Sequence, residues 1–248
     1  VCLGVSALYC YYKKISAAQF NNLMVLLFMP LVANMAYLFF YTPNIGEALM
    51  SGTSSNYAAS GGYGPNQIST VMGLGAFIAC SRLFVVKNKF INLIDLLLFG
   101  MMFFRAMVTF SRGGVITAIA CIIAFVVIFY QKQNNNSRSK LIRKFGVFAG
   151  VLIVTWMYTT LKTQGLITYR YTNRDAAGKL EDDITTGRAE LIETELQGFY
   201  NHPIMGVGVG KAKEYRSEEV GSATASHNEI SRLLSEHGLL GLTAVLIL

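Results

Sequence analysis

Long apolar stretches alternate with polar ones along the chain. Residues 20–41, 67–86, 90–110, 115–130 and 145–161 are almost free of charge, apart from Arg82, Asp95 and Arg105. An α-helix needs about 20 mostly apolar residues to cross a hydrocarbon core of about 30 Å, so the pattern predicts five membrane-spanning helices. Residues 1–12 and 238–248 are also apolar but too short to cross, and are expected to be cut helices. Val1 is not an initiator methionine and Leu248 stops inside an apolar run, so the chain is expected to be an internal piece; the lack of a leader carries no information.

The polar stretches differ in kind. Residues 131–139, with an asparagine run, read as a flexible connector. Residues 161–237 are too many for an ordinary connection, and loops of that size usually carry structure or function. Two helices are predicted within them. Over 187–200, Ile192, Leu196 and Phe199 recur at helical spacing, with Thr185 or Thr186 as N-cap, Glu190 near the first turn and Pro203 past the end. The second helix is predicted to begin at Ser226, which forms a capping box with Glu229 ahead of Ile230, Leu233 and Leu234. His227 and Asn228 then occupy its first turn. Between the helices, Gly206, Gly208 and Gly210 make a bendable passage that lets the backbone approach a ligand or another helix. The expected fold is all-α: a polytopic transmembrane bundle over 1–160, a large, partly helical extracytoplasmic loop over 161–237, and the start of another membrane helix over 238–248.

Composition agrees with a membrane protein, at 53% hydrophobic and 14% charged. The net charge of +7 would fit a nucleic-acid binder, but its distribution argues otherwise. Lys13 and Lys14, then Arg82, Lys87 and Lys89, then Lys132, Arg138, Lys140, Arg143 and Lys144 fall in alternate loops. Basic short loops mark the cytoplasmic side, which sends 42–66, 110–114 and 161–237 outward. The first outward loop carries Glu47 alone, and the last carries twelve acidic against nine basic residues. No nucleic-acid partner is expected. Cys2, Cys10, Cys80 and Cys121 all lie in apolar runs without paired spacing, so they read as small core residues rather than disulfides or zinc ligands.

Candidate chemistry gathers in 161–237. The glycine string before Lys211 lacks the spacing and the hydroxyl of a P-loop, because Ala212 stands where Ser or Thr is required. His202, His227 and His237 have no zinc-helix spacing and no cysteine beside them, so no metal and no cofactor are expected. His202, beside Pro203, reads as a helix stop, and His237 as an interface residue. His227 has two readings, an exposed first-turn residue or a proton acceptor, since imidazole titrates near pH 6.5. Arg188 is either a solvated helix start or a bidentate grip on phosphate. Arg112, in a turn of a few residues between two spans, is either a topology anchor or an anion ligand. Arg105 is spaced to point into the bundle.

Three segments taken together resemble the O-antigen ligase and polymerase family of bacterial envelope enzymes: TFSRGG at 109–114, TGR with its helix into NHPIMGVGVG at 186–210, and SHNEISRLLSEHGLLGL at 226–242. GPN at 64–66 resembles a fourth, weaker element. The resemblance covers 64–242. It implies a membrane glycosyltransferase of the multi-helix GT-C type in the bacterial cytoplasmic (inner) membrane, acting on an undecaprenyl-diphosphate-linked glycan donor without a metal. The acceptor it implies is a glycan, a lipid A core or a protein, with membrane lipid around the site. The catalytic residues it points to are His227, Arg188 and Arg112; Arg105, Asn66, Ser226, Asn228, Gly206 and Gly208 are the expected substrate-binding set.

The residues suit that chemistry. A diphosphate already leaves well, so cations that stabilise charge as the sugar C1–oxygen bond breaks are the main requirement. Arg112, Arg188 and the helix N-terminus at Ser226 would supply them, while His227 takes the proton of the attacking hydroxyl, which implies inversion at C1. The rival reading is a transporter or flippase of an anionic polyprenyl-linked lipid. It calls for charge along the spans, which carry little.

Overall fold

A computed structural model describes residues 9–11, 13–42, 45, 52–181, 187–221 and 228–247. It is helical, with one isolated bridge, Arg174 to Leu180, outside the helices among the described residues. The chain divides into two compact units, Val1–Leu180 and Glu181–Leu248. The first therefore includes the opening of the long polar stretch, and the second includes the apolar C-terminal segment.

The first unit is built on five long helices: α1 (Ala17–Tyr41), α2 (Pro65–Val85), α3 (Lys89–Val108), α4 (Arg112–Gln131) and α5 (Asn135–Lys162). All five are long and apolar enough to cross a membrane. Their starts are set by local chemistry. The Ser16 hydroxyl accepts from Gln19 N at 3.2 Å while Gln19 Oε1 accepts from Ser16 N at 2.9 Å, a full capping box for α1. Pro65 opens α2, where its missing N–H costs nothing. Asn88 Oδ1 accepts from Phe90 N at 2.9 Å to start α3. The polar connector expected over 131–139 is largely helical, because α5 starts at Asn135 and runs ten residues ahead of its apolar stretch. A polar first turn needs only water, so the apolar pattern alone understated the helix. A short α6 (Leu166–Tyr171) follows.

Burial shows which helices are central. Half of the apolar window of α2 and of α3 is buried, against 17–22% in α1, α4 and α5. The outer three thus present apolar side chains such as Leu26, Ile123 and Val154 to their surroundings, as lipid contact requires. Among Met72, Ile78, Phe99, Met107 and Phe148 the core is tightly filled, with the Phe99 and Phe148 rings 4.1 Å apart. Where α2 crosses α4, two glycines let the backbones meet. A Cβ on Gly114 would stand 2.5 Å from Ser69 C, and one on Gly73 3.0 Å from Gly114 O. Backbone cannot yield as a side-chain tip can, so Gly114→Ala should destabilise the bundle by about 2 kcal/mol. A thermal unfolding midpoint in detergent unchanged from wild type would show that the crossing is looser than this.

The second unit consists of α7 (Arg188–Asn201), α8 (Ala212–Val220), α9 (Glu229–His237) and α10 (Leu239–Ile247). Helices α7 and α9 pack together, and a buried cluster joins them to α8. The Glu195 carboxylate of α7 forms an ion pair with Arg216 of α8 and accepts from the Ser231 hydroxyl of α9 at 2.5 Å. All three side chains are at most 3% exposed.

Candidate functional site

In the first unit, the TFSRGG turn sits where α3 hands over to α4. Thr109 Oγ1 donates to Ala106 O at 2.7 Å and accepts from Ser111 N at 3.2 Å, closing the turn on itself. Phe110 adopts a left-handed φ of 58° while fully buried, a conformation unfavourable for a bulky residue that the surrounding bonds hold in place. Those bonds come from several elements: Asn56 N donates to Thr109 O at 3.1 Å, Arg170 Nε to Phe110 O at 3.1 Å and Ser69 Oγ to Ser111 O at 3.1 Å. The result is a rigid support for Arg112, the first residue of α4. Its Nη1 lies 3.3 Å from Arg170 O and 3.5 Å from Asn173 Oδ1, contacts at the long end of hydrogen bonding.

Asn66 belongs to the same turn, as its Oδ1 accepts from Ser111 Oγ at 2.7 Å. Tyr171, which the sequence did not single out, lies nearby and packs edge-on to Trp156 at 5.1 Å. Burial pushes its phenol pKa up, opposed by the positive charges of Arg112 and Arg170.

Arg105 does point into the bundle. Its Nη2 donates to Leu38 O and Thr42 Oγ1, both at 2.7 Å, and to Ala59 O at 3.3 Å, with the guanidinium over the Phe39 ring. Leu38 is in the last turn of α1, whose carbonyls have no partner within their own helix. Arg105 thus caps α1 from α3, with only 3% of its surface exposed.

In the second unit, Arg188 is the first residue of α7 and Asn228 the N-cap of α9, and together they line a pocket of about 160 Å³ with Leu191, Ile192 and Glu195. Asn228 Oδ1 accepts from Ile230 N at 3.0 Å. This corrects the expected start of the helix. The cap is Asn228 rather than Ser226, so His227 directly precedes the cap instead of entering the first turn. Both residue types cap well, and spacing alone could not choose between them. Ser226 and His227, like the expected caps Thr185 and Thr186, lie outside the described residues. The cap of α7 is Gly187, at φ 79°.

The electrostatics of this pocket are distinctive. An arginine at a helix start adds positive charge to the positive end of the dipole, which disfavours the helix on its own and favours a bound anion. The N-cap of a second helix faces the same space. Glu195 brings a carboxylate, but Arg216 already compensates it.

The glycine passage has a definite form. Gly206, Gly208 and Gly210 all take positive φ. Val207 N donates to Ser235 O at 2.8 Å and Gly208 N to Glu236 O at 3.3 Å, so the passage satisfies carbonyls at the C-terminal end of α9. A Cβ on Gly206 would run into the Glu236 carbonyl, with His237 N at 2.6 Å. Of the two uses open to these glycines, approach to a helix is the one the geometry displays for Gly206 and Gly208. The cluster of Glu195, Arg216 and Ser231 escaped the sequence reading. A signal was present, since Glu195 shares the helical face of Ile192 and Phe199.

Comparison with curated proteins and with solved structures returned no match. The family model described as O-antigen ligase matches residues 97–246, which takes in the TFSRGG turn, α7, the glycine passage and α9. That match spans more than half of the chain: it belongs to the O-antigen ligase family, enzymes that transfer glycans in surface-polysaccharide biosynthesis.

Proposed function

We propose that the protein transfers a glycan from undecaprenyl diphosphate to an acceptor hydroxyl by a single, metal-independent displacement that inverts the sugar C1. The observation that carries this reading is the pocket of the second unit, which Arg188 and the α9 cap Asn228, the residue after His227 in the sequence, line together. Two helix starts and an arginine suit a group bearing negative charge, as a departing lipid diphosphate does. His227, adjoining the cap, accepts the proton from the acceptor hydroxyl as it attacks C1, and the C1–oxygen bond to the diphosphate breaks in the same step. Asn228 and Ser226 orient the substrate there.

In the first unit, the rigid TFSRGG turn supports assigning Arg112 to an anionic headgroup, with Asn66 beside it and Arg105 holding the ends of α1 and α3 in register. The distribution of basic loops supports assigning the end of the bundle that carries this turn, and the polar stretch 161–237, to the extracytoplasmic side of the inner membrane. The acceptor class, a growing glycan, a lipid A core or a protein, is what separates polymerase from ligase.

The test uses purified protein with a lipid-linked donor of known anomeric configuration. The product linkage should be inverted, with activity unaffected by EDTA. Arg188→Lys keeps the charge but loses the planar fork, and turnover should fall about tenfold or more. Retained configuration would exclude a single displacement, and an unchanged rate and donor affinity in the lysine variant would remove Arg188 from the diphosphate.

A further inference from the structure

Along the face that α3 and α5 share in the first unit, two cavities adjoin at Leu96. The smaller, about 280 Å³, includes Lys89, Asn92 and Lys144 in its lining. The larger, about 410 Å³, is almost entirely carbon-lined, by Leu97, Met101, Phe104, Val154 and Tyr158 among others. No acidic residue lines either one. The Lys144 ammonium is held in place by donating to Leu83 O at 2.6 Å, which leaves two of its three donors for another partner. Asn92 donates through Nδ2 to Val86 O at 3.2 Å, and its Oδ1 has no donor among the described residues.

Length and charge together define what fits. From Leu93 to Phe104 the combined groove follows α3 for about 17 Å at 1.5 Å per residue. One leaflet of hydrocarbon is about 15 Å, half of the roughly 30 Å core. The cations stand only at the Lys89 end, opposite the α3–α4 turn, and the remainder is apolar. A molecule with one anionic head and an acyl chain one leaflet long matches this sequence of surfaces.

We propose that the α3–α5 groove is a binding site for an anionic phospholipid, with its phosphate at Lys89 and Lys144 and one acyl chain along Leu96, Leu97 and Met101. The site is separate from the residues assigned to glycan transfer and does not depend on that reading.

Native mass spectrometry of the purified full chain, with dioleoyl phosphatidylglycerol or dioleoyl phosphatidylcholine added, tests it. Phosphatidylglycerol should bind about tenfold more tightly than the choline lipid, and Lys89→Gln with Lys144→Gln should erase that difference. Leu97→Trp should weaken both lipids by filling the chain groove. Should the double variant fold poorly, Lys89→Gln alone should still reduce the preference about threefold. Equal binding of the two lipids by wild type would overturn the proposal, as would a preference that survives the lysine substitutions. Displacement of bound phosphatidylglycerol by undecaprenyl phosphate, equally in wild type and lysine variants, would reassign the groove to the carrier tail.

Discussion

His227→Ala should lower glycan transfer by about 10²- to 10⁴-fold, the usual worth of a general base, while leaving the affinity for the lipid-linked donor close to wild type. The split follows from the roles proposed. Donor binding is assigned to arginines and helix starts, whereas the imidazole contributes only as the acceptor hydroxyl loses its proton. The pH dependence has a definite sign. A base acts in its neutral form, so the wild-type rate should fall towards acidic pH, where an imidazole takes up a proton. The variant should lose that limb together with most of its rate. Full activity in the alanine variant, or a residual rate that keeps the same acid limb, would take the base role away from His227.

This prediction rests on a residue that the sequence picked out through its motif rather than through periodicity. The membrane helices are legible for a simple reason: a chain that crosses hydrocarbon must be apolar for about 20 residues, and composition reveals that without knowledge of packing. Helix ends outside the apolar runs are less legible. The polar first turns of α5 are helical because water satisfies them as well as a loop would be satisfied, and hydropathy cannot tell the two apart. Helix α8 was missed for a related reason. Its sequence AKEYRSEEV is polar nearly all round, and its purpose appears only when Arg216 meets Glu195.

The candidate site residues divide in the same way. Arg188 and Asn228 stand at helix starts that local signals foreshadow, and the structure puts both on one pocket. Arg105 needed tertiary information, because pointing into the bundle suits a ligand contact and a helix cap equally, and Leu38 O and Thr42 on α1 are distant in sequence. The glycines at 206 and 208 were read as allowing a close approach. Only the fold reveals that the neighbour is the last turn of α9.

Glu195→Ala should destabilise the second unit by about 3 kcal/mol or more. The carboxylate is 1% exposed, and removing it takes the Glu195 counter-charge away from the buried Arg216 guanidinium and leaves the Ser231 hydroxyl only its longer bond to Asn228 O at 3.3 Å. The penalty arises mainly from taking a carboxylate partner away from a buried cation, not from the strength of the pair. Glu195→Met combined with Arg216→Met should therefore recover most of the loss, since an apolar pair of similar volume avoids the desolvation that the ions incur. Hydrogen exchange localises the effect: amide protection should fall in α7 and α9 of the alanine variant while α2 and α3 keep theirs. Function should follow, because this cluster ties α7 to α9 and so sets the spacing of Arg188 and Asn228 across their pocket. The double methionine variant, stable but without the polar tie, then separates two causes of lost activity. Transfer restored along with stability would mean that packing alone spaces the two helix starts. Transfer still low in a stable protein would mean that the Glu195 hydrogen bonds themselves orient them. Protection unchanged in Glu195→Ala would show that Arg216 finds another partner and that the cluster does not hold the unit together.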